Sequence, residues 1–417
     1  MAEKGITKVA DMTNSVTTVY EKEYLLHAIA NPGVWAQFID WQDPIPEDGG
    51  GGSSWNIPVY GETDLAEETI AEDEDITPEK ISDGYVTITP YEWGKTFGLT
   101  KKLKYQSRVK QSEVMGKLVD MNRVRSIDRV LRRSACGIGA TYPTMTIHID
   151  GSAAMSSLTA ASGADNVTFA FLQELQAQAQ SLDIEPFDNG EFKAIIHPLL
   201  ALDIKQLTEW KSMGYYAGDK ENIYGYNSKP FSLAGITFIP SNMGRLYLGS
   251  GTVAQAATTC TAAMSKGATT VPVAEQTGIV AGTYITIGTL ESETVSPGTN
   301  LEQVYVTAAA GASGAGNLTV RGNGVGEDFG LRFDHASGES VVESYNVAAI
   351  PIIGKNSLLG KYGSDVGRYG IAKRKEGLDL LDRFTYFGWY WYGGVGIVQK
   401  HLMLGKCSVS KWTTGYN

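Results

Sequence analysis

The feature that most constrains the fold is a change of composition inside the chain. Residues 250–345 are dominated by Ala, Gly, Thr and Val, and short β-type runs at 269–273, 283–287 and 302–307 alternate there with glycine turns. That is the pattern of a small all-β unit. An apolar run at 347–353 resumes directly afterwards, so the β unit is expected to interrupt a host domain whose strands lie on both sides of it. A chain of 417 residues with 42% hydrophobic and 19% charged residues is long enough for two or three units with real cores. Its 48 glycines and 21 tyrosines favour turns and strands over long helices.

N-terminal to the β unit, Val16, Val19, Tyr20, Leu26 and Ile29 have near-helical spacing before the stop at Asn31-Pro32-Gly33. A Pro- and Gly-rich connection follows, ending in the glycine run 49–52. Residues 55–60 and 85–99 are predicted as two long strands flanking an acidic segment, 62–79. From Ser112 the period changes to helical, with Val114, Leu118, Met121, Val124, Ile127 and Leu131 on one side and a stop near Gly137 and Gly139. At about 1.5 Å per residue this helix exceeds 30 Å. Further on, Phe169, Leu172, Leu175 and Leu182 predict a helix, 192–196 a buried strand, and Pro198 the start of a helix burying Leu199, Leu202, Leu207 and Trp210. Residues 235–239 predict another strand, and 383–410 a pair or trio of aromatic-rich strands around Gly393-Gly394.

Chemistry-bearing motifs are sparse. Cys136, Cys260 and Cys407 are odd in number and far apart, which predicts reduced thiols and a cytoplasmic place of synthesis. His27, His148, His197, His335 and His401 form no HExxH motif and adjoin no nucleophile motif, so positional roles are expected of them. Gly322-Asn323-Gly324-Val325-Gly326 lacks the Lys-Ser or Lys-Thr ending of a phosphate loop and reads as a turn. Glu72, Asp73, Glu74 and Asp75 miss the alternating spacing of a calcium loop. No catalytic, cofactor or metal residue is therefore assigned, and an enzyme is not expected. The N-terminal sequence MAEKGITKVADM has no signal-peptide pattern, and no stretch reaches the length of a membrane span. A net charge of −11 argues against a protein that coats nucleic acid over its whole surface.

Charge is nevertheless segregated. Glu67, Glu68, Glu72, Asp73, Glu74 and Asp75 crowd the acidic segment, while Lys101, Lys102, Lys104, Arg108, Lys110, Arg123, Arg125, Arg129, Arg132 and Arg133 crowd the long helix and its approach. Each cluster repels itself within one chain, so the two are expected to meet between copies of the chain, with nucleic-acid phosphate as the rival partner of the cations.

The order of these segments resembles the Hong Kong 97 phage capsid fold, and within it the coat-protein subfamily typified by the podophage N-four. The local matches are Tyr91-Glu92-Trp93-Gly94-Lys95 through Leu99-Thr100, Arg125-Ser126-Ile127-Asp128, Ile195-Ile196-His197-Pro198 with Asp203, and Gly235-Ile236-Thr237-Phe238-Ile239. The resemblance implies an α+β fold with an N-terminal arm (1–52), an E-loop hairpin (53–100), and a spine helix with peripheral domain (101–165). An axial domain (166–249 and 346–380), split by the inserted β domain (250–345), and C-terminal peripheral strands (381–417) complete it. It further implies a major capsid protein of a tailed double-stranded DNA phage, located in the virion capsid after assembly in the host cytoplasm. Its copies would form hexamers and pentamers. Implied partners are a scaffolding protein, a portal, a cement or decoration protein, and packaged double-stranded DNA contacted without sequence specificity; no cofactor and no membrane are implied. The β insertion lies outside the shared core and is expected to project outward, so that a glycine linker replacing 252–343 should leave the rest able to fold. An encapsulin-like compartment has the same architecture. A glycan-binding β protein or a hydrolase would account for the insertion or the axial part alone, without the arm, hairpin and spine.

Overall fold

The computed structural model describes residues 33–47, 52–60, 83–106, 111–138, 145–217, 230–254, 257–322, 330–376, 383–398 and 402–416. The predicted arm helix at 16–30, the acidic segment, and Asn323 to Gly326 lie outside the described residues.

The body is built on a mixed seven-stranded sheet in the order Met145–His148, Leu402–Ser408, Val347–Ile353, Phe192–Ile196, Ile236–Pro240, Phe231–Leu233, with Leu246–Tyr247 paired to the third of these. Every residue of Val347–Ile353 and of Leu402–Ser408 is buried, which is why both read as near-continuous apolar runs instead of alternating ones. Helix α3 (Phe169–Ser181) covers this sheet through Phe171, Leu172, Leu175 and Ala179, and the Thr168 side chain caps it by accepting from the Phe171 amide. The helix predicted from Pro198 is two helices, α4 (Pro198–Gln206) and α5 (Thr208–Ala217), because Leu207 is extended between them. The buried face of α4 is Leu200, Ala201, Asp203 and Ile204, offset from the expected leucines, since Asp203 is held inward by the amide and hydroxyl of Ser410.

The predicted strand 85–99 breaks at Pro90, which has no amide to donate to a ladder. Asp83–Ile88 pairs with Trp55–Tyr60 as a two-stranded hairpin, while Tyr91–Thr100 leaves it for a five-stranded sheet and pairs with Phe384–Ile397. The latter is one 14-residue strand running straight through Gly393-Gly394. A side chain at Gly394 would press to 2.6 Å from the Thr89 carbonyl, so this glycine marks a close crossing rather than a turn.

After the short helix α1 (Lys101–Gln106), helix α2 (Gln111–Cys136) lies against this five-stranded sheet and ends at Gly137, whose φ of +72° is a left-handed cap. Val119, Ile127, Leu131, Ala135 and Cys136 are its buried apolar positions among the described residues. Leu118, expected inside, is 42% exposed, and its neighbour Val119 takes the buried position instead.

Strands between Thr258 and Val342 form a second seven-stranded sheet around Val271, Ile285, Val304 and Val341, joined by the C-terminal strand Gly415–Tyr416. Strands Phe384–Ile397, Leu402–Ser408 and Gly415–Tyr416 thus enter three different sheets.

Candidate functional site

Of the arginines of α2, Arg125, Arg129 and Arg132 stand four and three residues apart and so fall on neighbouring positions of the helix surface. Arg125, Arg129 and Arg132 line a cavity of about 510 Å³ where α2, the loop after Ile236–Pro240, the 258–342 sheet and the C-terminal segment meet. Lys95 from the five-stranded sheet and Arg332 from the 258–342 region add two further cations to its wall. None of the described lining residues is a carboxylate.

The electrostatics of this wall follow from burial. Arg132 is 8% exposed, and its guanidinium is pushed down to about 9 by desolvation and by repulsion from Arg245 and Arg129. Its Nε has no hydrogen-bond partner among the described residues. Asp128, one turn earlier, is raised to about 6 by burial, although its Oδ1 accepts the Trp35 amide at 2.8 Å. The Trp35 indole in turn donates to the Met243 carbonyl at 2.9 Å, clamping the 33–47 segment across the helix. His197 caps α4, its Nδ1 accepting the Leu199 amide, and desolvation with Arg132 nearby lowers it to about 4, so it is neutral at pH 7.

Beside the cavity a second polar cluster is compensated. Arg245 and Glu291 form an ion pair that is closed to solvent on both sides. Glu293 lies 3.6 Å from Lys406 Nζ and 3.4 Å from His148 Nε2, and also accepts the Met155 amide at 2.7 Å. Burial lowers Lys406 to about 8. Both Arg245 and Lys406 lie over the Tyr247 ring, 4.7 and 5.2 Å from its centre. Gln303 and Asn346 exchange amide hydrogen bonds of 3.0 and 2.8 Å across the same seam. The ends of the β region are indeed adjacent, with Tyr345 donating to the Thr252 carbonyl. Its carboxylates Glu291 and Glu293 also pair with Arg245 and Lys406 of the body, so the two regions share a buried polar seam.

The described residues of the predicted basic region have different surroundings. Arg123 is occupied within the chain, pairing with Asp120 and donating to the Gly370 carbonyl at 2.8 Å. Arg125, Arg129 and Arg132 turn to the cavity, and Arg133 is half-buried with its basicity lowered by burial and by Arg245. Lys101 and Lys102 are exposed. Glu67, Glu68, Glu72, Asp73, Glu74, Asp75, Arg108 and Lys110 lie outside the described residues, as does the side chain of Lys104. Sequence reasoning missed Arg245, Glu291, Glu293 and Lys406; a lone lysine within the apolar run Leu402–Ser408 was the legible signal. Among the described residues no group of His, Cys, Asp and Glu is arranged to hold a metal ion, and no helix is long and apolar enough to cross a membrane.

In sequence, no family model and no curated protein matches this chain. In structure it is similar to the capsid of Ralstonia phage GP4, at 7% identity and a TM-score of 0.54 over 99% of this chain and 100% of that one. It is equally similar to a chain of the cyanophage Pam1 capsid, at 12% identity and a TM-score of 0.54 over 99% and 100%. The capsid of cyanophage P-SCSP1u follows at 11% identity and 0.52 over 94% and 93%. The chain therefore has a mixed α+β fold shared with phage capsid proteins along nearly its whole length.

Proposed function

We propose that this chain is the major capsid protein of a tailed double-stranded DNA phage, a structural subunit that performs no bond chemistry. Its Hong Kong 97-type elements, closest to the N-four type, would build hexamers and pentamers of an icosahedral shell. Scaffolding protein, portal, a cement or decoration protein and packaged DNA are its proposed partners.

Besides the shared fold, one observation supports the reading: among the described residues, exposed aromatics gather on the hairpin and the strand and helix that follow it. Tyr60 and Tyr85 on the hairpin are each 69% exposed, Tyr105 on α1 is 85% exposed, and Tyr91, Trp93 and Leu103 between them are exposed as well. Exposed aromatics are the side chains that interface cores are enriched in. Obligate contacts of about 2,000 Å² or more need projecting elements of this kind.

Electron microscopy of the chain co-expressed with its scaffolding protein tests the reading, with closed shells or capsomer-sized rings as the expected product. A strictly monomeric product overturns it. Within this reading the acids Glu67 to Asp75 meet a neighbour's cations, for which Lys101 and Lys102 are the exposed described candidates. Each exposed pair contributes about 0–1 kcal/mol and weakens with salt. Reversing the acids to lysine should block assembly, and Lys101→Glu with Lys102→Glu should partly restore it. Normal assembly of the acid reversal at low salt would exclude the pairing.

A further inference from the structure

We propose that the cavity beside α2 is a binding site for a phosphate group. Its wall combines Arg125, Arg129 and Arg132 of the helix with Lys95 and Arg332 from two other parts of the chain, and no described lining residue is a carboxylate. Arg132 is more than nine-tenths buried, and its Nε lacks a hydrogen-bond partner among the described residues. A buried guanidinium group held among like charges is costly unless an anion completes it. Guanidinium forks match phosphate oxygens in pairs, which a lysine-lined surface does not offer. Asn122, also on the wall, uses its Oδ1 to accept the Trp389 indole at 2.8 Å, which leaves its amide NH₂ as a further donor.

Asp128, one turn before Arg132, offsets part of its charge, and the carboxylates around the cavity have partners inside the chain. Asp128 holds the Trp35 amide, Glu291 holds Arg245, and Glu302 holds the Arg332 and Phe333 amides together with His335. A volume of about 510 Å³ admits a phosphate with several waters. Because Arg332 belongs to the 258–342 region and Arg132 to α2, a bound phosphate would tie the two together.

Two sources supply this chemistry, inorganic phosphate and a nucleic-acid backbone, and calorimetric and thermal titrations of the unassembled full chain at low ionic strength distinguish them. Inorganic phosphate should bind and raise the melting temperature, while chloride at equal ionic strength should not. Arg332→Gln and Arg132→Gln should each weaken binding by about tenfold or more. Without phosphate, the Arg132→Gln chain should melt no lower than the unsubstituted one, because a repelled buried cation is gone. Arg332→Gln, on the opposite wall, keeps the test decisive if Arg132→Gln fails to fold. A response to a short DNA duplex but not to inorganic phosphate, lost in Arg332→Gln, would name the backbone as the source. No response to either, or undiminished binding in Arg332→Gln, overturns the proposal, as does binding of a peptide spanning residues 62–79 through Arg332 where phosphate does not bind.

Discussion

Two strand-rich regions of this chain solve the problem of apolar surface in opposite ways. The 258–342 sheet closes around Val271, Ile285, Val304 and Val341, each fully buried, and then locks onto the body through Glu291 and Glu293. The hairpin of Trp55–Tyr60 and Asp83–Ile88, with the strand and helix that follow, carries Tyr60, Tyr85, Tyr91 and Tyr105 into solvent. A region that satisfies its own surface contributes to the subunit's stability; one that leaves aromatics uncovered contributes to stability only when another surface arrives. The difference separates what this chain does to fold from what it is proposed to do in a shell.

The comparison breaks most visibly if the 258–342 region is removed. Replacing 252–343 by a glycine linker should give little soluble folded protein, because Arg245 and Lys406 would lose the carboxylates Glu291 and Glu293; a cooperative melt of that deletion would show the region to be separable. The local version is Glu291→Ala, which removes the carboxylate paired with Arg245 in a solvent-free site and should cost about 3–5 kcal/mol in denaturant unfolding.

A pH series sharpens the picture at the seam, where two groups oppose each other. Asp128 is raised from 3.8 to about 6, so the native state holds its proton more tightly and stability from this group falls as pH rises through 6, by up to about 3 kcal/mol. His197 is lowered from 6.5 to about 4, so the unfolded state binds the proton first and stability falls as pH drops from 6.5 to 4, by a similar amount of about 3 kcal/mol. Relative to the unsubstituted chain, Asp128→Asn should therefore lose stability on acidification over this window and His197→Asn should gain it. Parallel profiles for the two variants would show that neither group titrates as its surroundings dictate. The smallest effect on the subunit belongs to the other region: Tyr60→Ser with Tyr85→Ser should change unfolding free energy by less than about 0.5 kcal/mol while abolishing shell assembly, and retained assembly would remove these tyrosines from the interface.

Much of the element order was legible because the signals are local. The apolar runs at 192–196 and 347–353 are strands at those bounds, Pro198 opens α4, and α2 ends at Gly137. Pro90 was equally visible, yet treating 85–99 as one strand ignored the amide it lacks. The candidate site was legible only as a list of charges. Nothing in the spacing of Arg123, Arg125, Arg129 and Arg132 says that the first is consumed by the Gly370 carbonyl while the others face a cavity.

The sequence by itself determined where helices and strands begin and end, through periodicity, proline and glycine, since those act over a few residues. It also determined that the 250–345 segment differs from its surroundings. Only the tertiary structure decided that Leu402–Ser408 and Phe384–Ile397 enter different sheets, that Glu291 neutralises Arg245, and that cations from α2, the five-stranded sheet and the 258–342 region line one cavity. Such pairings join residues from 46 to more than 200 positions apart, and what selects them is the cost of burying a charge or an apolar face without a partner, which is settled only when the whole chain has closed.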